Sequence, residues 1–546
     1  MLRTVRTRVL AASLATALGA TGLVVATATP LAAKAADCRP PSGWDAVQAP
    51  AVDGSSYRHT LTSFDGTRIN LNWFPNAGAS AASPMPTVLM GPGWGQAGDT
   101  NVNATGILGA PLSIGALWQA GYHVVTWDPR GFGQSGGRAT VDAAAFEGRD
   151  VRQIISWVAQ QEGVAVDSAG DPRLGMVGGS YGGGIQYVVA ATDCRVDAIV
   201  PLIAWNSLVT SLGKSGTPKA GWSQILINAS AGGRVDPRVT RANREQLATG
   251  RVSPATVEFF RTRGPGGLVS RIHQPTLIIQ GTVDNLFTPS EAVANHRLMR
   301  GTARPLAMAW YCGGHGTCLT DPGGVDPGAL SVAWMDRFVK RDRSAAVVEG
   351  FEFVDQRGVV LRASKFPPAA GPAVTARGAG AIPLQADGGS GPPAVQPAGG
   401  GPNAVVDSIA WRITPGPAPV AVRVPIAVAR PATVVGSPRL TMTYAGTTPA
   451  CTRLRRVFAQ IVDTASGVVV GNQITPVPVR LDGRRHRVSL PLEAIAYSAT
   501  PESRLELQIV GNSTAYTEPC LGGRLRVTEA EVRLPTATGL REVSAG

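Results

Sequence analysis

The chemistry in this chain starts at Ser180. It stands at the centre of Gly178-Gly-Ser180-Tyr-Gly182, a G-x-S-x-G pattern. An apolar run, Leu174 to Val177, precedes it, and a helix-compatible run, Ile185 to Ala191, follows. Strand, sharp turn with serine at its apex, then helix is the context in which such a serine acts as a nucleophile. A serine hydroxyl is a weak nucleophile near neutral pH, so a base must take its proton and a carboxylate must orient that base. In doubly wound hydrolases the order is Ser, acid, His, each group just past the end of a strand. Asp284 follows the apolar run Pro275–Gln280, and His315 follows Leu306–Tyr311. Singly, Asp284 reads as a turn aspartate and His315 as a loop histidine; the three in order at strand ends read as a triad.

The pattern alone is weak, since Gly133-Gln-Ser135-Gly-Gly137 matches it too. No helical run follows Ser135, which marks a glycine-rich loop. Of the other histidines, His123 falls inside a strand, His296 in a helical run, and His486 in an Arg-rich turn. An anionic intermediate needs preorganised donors. The Tyr181 backbone N–H is one candidate. Trp94, in the loop Gly91-Pro-Gly-Trp94-Gly95, offers its backbone N–H or its indole N–H.

These groups need a frame. Leu61–Leu71 reads as a hairpin around Asp65-Gly66, and Pro86–Met90, Tyr122–Trp127, Leu174–Val177, Ala198–Leu202, Pro275–Gln280 and Leu306–Tyr311 as buried strands. Phe146–Gln161 and Ala329–Arg341 show helical periodicity. Strands alternating with helices predict a doubly wound, mostly parallel sheet covered on both faces. Residues 205–270 lack strand character and read as a helical cap. Beyond residue 345, residues 346–404 read as a Pro/Gly-rich connection with long loops over 367–404. Alternating runs over 405–546 predict an all-β, jelly-roll-like sandwich. The hydrolase unit is then 37–345.

Residues 1–36 read as a secretory signal peptide. Arg3, Arg6 and Arg8 precede an apolar stretch, Val9–Ala28, and Ala33-Lys-Ala35 offers a cleavage site. The six cysteines of an exported chain are expected in disulfides: Cys312 with Cys318, Cys451 with Cys520, and by remainder Cys38 with Cys194. The formal charge is +13, but the arginines are scattered with no aromatic–basic cluster, so nucleic acid is not an expected partner. No integral membrane segment is expected after signal cleavage; association with the cell envelope stays open as an expectation. Metal-ligand spacings and phosphate-binding glycine loops are absent, and no cofactor or metal is expected.

Taken together, Trp127-Asp-Pro-Arg-Gly-Phe-Gly-Gln-Ser-Gly136, Gly178-Gly-Ser-Tyr-Gly182, Gly281-Thr-Val-Asp284 and Gly314-His315 resemble the X-prolyl dipeptidyl peptidase / cocaine-esterase-like (peptidase S15-type) group of α/β-hydrolases. The resemblance implies an α/β-hydrolase with a helical cap and a C-terminal jelly roll, acting on small-molecule or peptide substrates. Phe351-Glu-Phe-Val-Asp-Gln-Arg-Gly358 resembles the family's entry into the jelly roll. One departure stands out. The family often supplies a tyrosine hydroxyl to the oxyanion hole from a Pro-Tyr-Gly segment, where this chain has Gly93-Trp94-Gly95.

The expected function is a secreted serine hydrolase of ester or amide bonds, dipeptidyl-peptidase-like or acyl esterase. A peptidase of that kind needs a carboxylate for the substrate's free amine, and Asp236, Glu245 and Glu258 in the cap are candidates. A non-catalytic envelope- or glycan-binding protein on a hydrolase scaffold is the alternative.

Overall fold

The structure is a computed structural model, and it describes residues 58–103, 112–320, 324–396, 404–448, 454–516, 518 and 522–543. The expected signal peptide, Cys38, Cys451 and Cys520 lie outside the described residues. Among the described residues no helix is long and apolar enough to cross a membrane.

The frame is one large mixed sheet. Its strands are β1 (Arg58–Thr62), β2 (Arg68–Phe74), β3 (Thr87–Gly91), β4 (His123–Trp127), β5 (Leu174–Gly179), β6 (Val196–Leu202), β7 (Thr276–Gly281), β8 (Leu306–Tyr311), β9 (Phe351–Val354) and β10 (Val360–Ala363). They lie in the order β1-β2-β4-β3-β5-β6-β7-β8-β9-β10, and Arg541–Val543 closes the edge. From β4 through β9 neighbours run parallel. The apolar runs are continuous because both faces are covered. Alternate residues enter two cores, Met176, Ile278 and Met308 on one side and Val177, Leu277 and Ala309 on the other.

Strand order reverses beside β3, so the C-terminal ends of β3 and β5 flank a crevice, the usual ligand position in such sheets. The chain turns there with little room. A Cβ on Gly182 would lie 2.1 Å from the Gly91 carbonyl oxygen, so only glycine lets strand end and elbow touch.

Cap helices Leu208–Leu212, Ala220–Ala229, Pro237–Thr249 and Pro254–Arg261 roof this crevice. Asp236 and Ser253 cap the last two by accepting backbone N–H groups, each with proline at the first turn. Ala220–Ala229 lacks these signals, and its sequence does not announce it.

The division at 345 and 405 is corrected by the structure. Phe351–Val354 and Val360–Ala363 are strands of the hydrolase sheet, and Arg541–Val543, at the far end of the chain, pairs with the latter. Within the stretch taken for loop, Val374–Pro383 is a ten-residue strand paired with Arg524–Leu534. Its glycines and alanines suit close approach: a Cβ on Gly378 would fall 2.9 Å from a Val424 methyl carbon. The remaining strands of the C-terminal half form antiparallel four-stranded sheets, a β-sandwich. Val435, Ala494 and Ala496 of this unit belong to the hydrolase core, so the two units share buried surface.

Candidate active site

The elbow holds Ser180 at φ 57°, a left-handed conformation that costs a non-glycine residue energy and aims its side chain out of the sheet. Ser180 Oγ lies 2.8 Å from His315 Nε2, and His315 Nδ1 lies 2.7 Å from Asp284 Oδ2. A carboxylate only accepts, so Nδ1 carries the proton and Nε2 is left as the acceptor for the serine hydroxyl. Asp284 is fully buried, and its Oδ1 accepts the N–H groups of Leu286 (3.0 Å) and Phe287 (2.8 Å). The edges of Trp222 and Phe287 pack on the imidazole and shield it from water. A disulfide joins Cys312 to Cys318 across the loop that carries His315. Cys194 is disulfide-bonded as well. Its expected partner Cys38, and the Cys451–Cys520 pair, fall outside the described residues.

Tyr181 opens helix Tyr181–Ala190, where its backbone N–H has no intrahelical acceptor and is available to an oxyanion. Its phenol is used elsewhere, donating to Glu147 Oε1 at 3.2 Å. Burial pushes the Glu147 carboxyl up from its ordinary value, against hydrogen bonds from Thr140 that lower it. Trp94 answers one open alternative: its indole N–H donates to the Leu226 carbonyl of the cap at 2.9 Å and is not free for an oxyanion. The Trp94 backbone N–H meets no acceptor among the described residues and stays the candidate. Ser135 is fully buried, its hydroxyl donating to the Asp128 carbonyl while accepting the Asn70 N–H. It ties a loop.

The Asp128-Pro-Arg130 segment is a brace. Asp128 accepts the N–H groups of Gly98 and Gln134, and buried Arg130 pairs with Asp150 and Asp65. The loop thereby sets Phe132 against Trp94, whose ring also meets Tyr181. His123 stacks on Trp73, and His486 pairs with Asp482 in the sandwich.

Residues 65–316 match the model of the X-Pro dipeptidyl-peptidase family (S15). Over this segment the chain is similar to that hydrolase family. Two solved structures share its architecture across the chain. A CocE/NonD family hydrolase from Staphylococcus aureus is 13% identical with a TM-score of 0.61, covering 88% of this chain and 93% of its own. An aminopeptidase from a marine-sediment Thaumarchaeota archaeon is 12% identical with a TM-score of 0.61, covering 91% and 98%. At these identities they establish the fold. An uncharacterized 31.7 kDa protein from the traX-finO intergenic region of Escherichia coli is 36% identical over 95 residues. That match spans 17% of this chain and about a third, 32%, of the relative's length.

In this domain the acid loop is gripped from outside, by residues the sequence did not mark. Lys219 of the cap, fully buried, donates from Nζ to the carbonyls of Asn285 (2.9 Å) and Leu286 (2.8 Å). The Trp222 indole donates to Asn285 Oδ1. From the sandwich, Gln473 donates to the Asp284 carbonyl (2.8 Å) and Asn472 to the Thr317 carbonyl (2.9 Å). Glu493 accepts the Thr288 hydroxyl and pairs with Lys214 at 2.8 Å. Burial pushes the Glu493 carboxyl up, but Lys214 and Lys219 outweigh it and hold the group below its ordinary value. Burial pushes the Lys219 amine down to about 8, against the pull of Glu493.

Lys219→Met keeps the stem and removes the donors, leaving two buried carbonyls unpaired. The expected result is a fall in kcat of about 10- to 100-fold, with KM changed less than about threefold. Because the folded amine loses its proton near pH 8, wild-type kcat should also decline above that pH. The variant should lack this limb. A pH profile of the same shape in both would show Lys219 to be a packing residue only.

Proposed function

We propose that this chain is an exported serine hydrolase that cleaves esters of small apolar acids through an acyl-enzyme. The observation that carries the reading is the continuous chain of hydrogen bonds from Ser180 through His315 to Asp284, three largely buried residues. In this mechanism Ser180 Oγ attacks the carbonyl carbon while His315 Nε2 takes its proton. The backbone N–H groups of Tyr181 and Trp94 receive the oxyanion. His315 returns the proton to the departing alcohol, and water, activated by the same imidazole, releases the acid.

The acyl pocket supports esters over dipeptides. In front of Ser180 the cap leaves about 60 Å³ of free space, walled by Val141, Trp205, Leu208, Leu226, Ile227 and Phe260. Its polar lining includes the neutral side chains of Ser223, Asn243 and Gln246, and among the described residues no carboxylate lines it. The three acids weighed for a free amine are placed otherwise. Asp236 pairs with Arg238, exposed Glu258 with Arg261, and Glu245 accepts the Ser253 hydroxyl. An ammonium brought into this pocket would lose hydration without a counter-charge.

kcat/KM on p-nitrophenyl esters is therefore expected to rise about fourfold per added methylene, the equivalent of roughly 0.8 kcal/mol of buried CH₂, until the space is filled. Ala-Pro-p-nitroanilide should be at least about 100-fold poorer than the best ester. Faster cleavage of the anilide would overturn the ester reading and leave the hydrolase reading intact. What supports export is the leader-like 1–36 segment together with the Cys312–Cys318 disulfide, a bond favoured in oxidising compartments. N-terminal sequencing of the protein recovered from culture medium tests it, with cleavage after Ala35 or Ala36 as the expected result.

A further inference from the structure

A second cavity lies at the opposite end of the sheet from Ser180. It opens beside Leu306 and Ala307, where β8 begins, whereas His315 follows the end of that strand. Helices Pro289–Met299 and Pro327–Phe338 border it, together with residues 347–350 and 364–366. Its free volume is about 710 Å³, within the range of sites that enclose a small organic ligand.

The lining has two parts. Its buried wall is apolar, built from Ala307, Trp334, Phe338 and the partly buried Phe366. Its mouth is cationic: Arg300, Arg304, Arg337 and Lys365 line it, against one carboxylate, Glu349. None of these cations forms an ion pair among the described residues, whereas the buried Arg130 and Arg195 do. Like charges gathered around a low-dielectric hollow raise the potential inside it and draw an anion.

His296 gives the independent pointer. It is 5% exposed and lines the cavity, yet its imidazole has no hydrogen-bond partner among the described residues, only the edge-on ring of Phe366 at 5.1 Å. A buried polar group without a partner costs free energy that a ligand atom would recover. Burial, with Arg300 beside it, holds the ring down at about 4, so at neutral pH it is uncharged with one N–H to donate.

We propose that this cavity binds a small organic monoanion, a carboxylate on an apolar chain, with the chain against Trp334, Phe338 and Phe366 and the carboxylate among His296, Arg300 and Arg304. The site is independent of the reaction at Ser180.

The test is calorimetric titration of the whole chain with dodecanoate, dodecanol and dodecyltrimethylammonium. Dodecanoate is expected to bind one-to-one, at least tenfold tighter than the alcohol, and the cation not at all. Arg300→Glu with Arg304→Glu, both exposed positions, should weaken dodecanoate at least tenfold while ester turnover and Tm stay unchanged. That result separates this cavity from the Ser180 pocket, which contains neither residue. Should the double variant fail to fold, Lys365→Glu on the exposed rim is expected to give a smaller loss in the same direction. Absence of dodecanoate binding, equal binding of all three amphiphiles, or unchanged affinity in the charge-reversed variants would each overturn the proposal.

Discussion

Replacing Ser180 by alanine should reduce kcat on a short acyl ester by about 10⁴- to 10⁶-fold, the scale seen when the nucleophile of such a unit is removed. Only one hydroxyl is lost, and its hydrogen-bond partner is His315, so the fold should be unaffected. The hydroxyl also sits on a strained residue, and its removal leaves the turn glycines and their contacts in place. Three measurements separate the outcomes. Ester turnover and labelling by a fluorophosphonate should both vanish, while the thermal unfolding midpoint should stay within about 2 °C. Retained turnover in the folded variant would remove Ser180 from the mechanism. Absence of labelling in the wild-type chain would favour a binding protein on this scaffold, the alternative raised by the sequence.

Asp284→Asn should cost nearly as much, about 10⁴-fold in kcat, for a different reason. Asp284 Oδ1 accepts two backbone N–H groups, from Leu286 and Phe287. An asparagine keeps its oxygen at that position, because its amide nitrogen cannot accept them. The amide N–H₂ then faces His315 Nδ1, which must turn acceptor. The proton moves to Nε2 and points at Ser180, and the imidazole can no longer take the serine's proton. Activity should therefore fall with little change in KM or in Tm, since shape and backbone bonds survive. A loss that tracks unfolding, or one below about tenfold, would mean that Asp284 does not set the tautomer.

Much of the frame was legible because its signals are local. The parallel strands announce themselves as short continuous apolar runs, and Ser180, Asp284 and His315 fall just past three of them. Strand Val374–Pro383 was missed for an equally local reason. Its Gly-, Ala- and Pro-containing sequence carries the punctuation of a loop, and only pairing with Arg524–Leu534 on its edge makes it a strand. The same holds for Arg541–Val543, which joins the hydrolase sheet from the far end of the chain. Sequence separation hides such pairings, since no periodicity within a segment specifies its partner.

The acid loop shows the other limit. Lys219 is an unremarkable cap lysine, and Gln473 and Glu493 look like ordinary polar residues of a sandwich. Their meaning comes from packing that seats cap and sandwich on the loop behind Asp284, with contacts spanning 66 to 205 residues of chain. Trp94 makes the same point more finely. Sequence places its indole in the right loop, but the carbonyl of Leu226, 132 residues on, takes its proton.

By itself, then, the sequence determined the candidate residues, their order along the chain and the class of sheet that carries them, because strand periodicity and turn chemistry act over a few residues. The tertiary structure decided the 2.7 and 2.8 Å spacings that link the three, the largely apolar pocket in front of Ser180, the clamp on the acid loop and the cationic cavity behind the sheet. Each of these depends on side chains meeting across long chain separations, and only a completed, close-packed core brings them within reach.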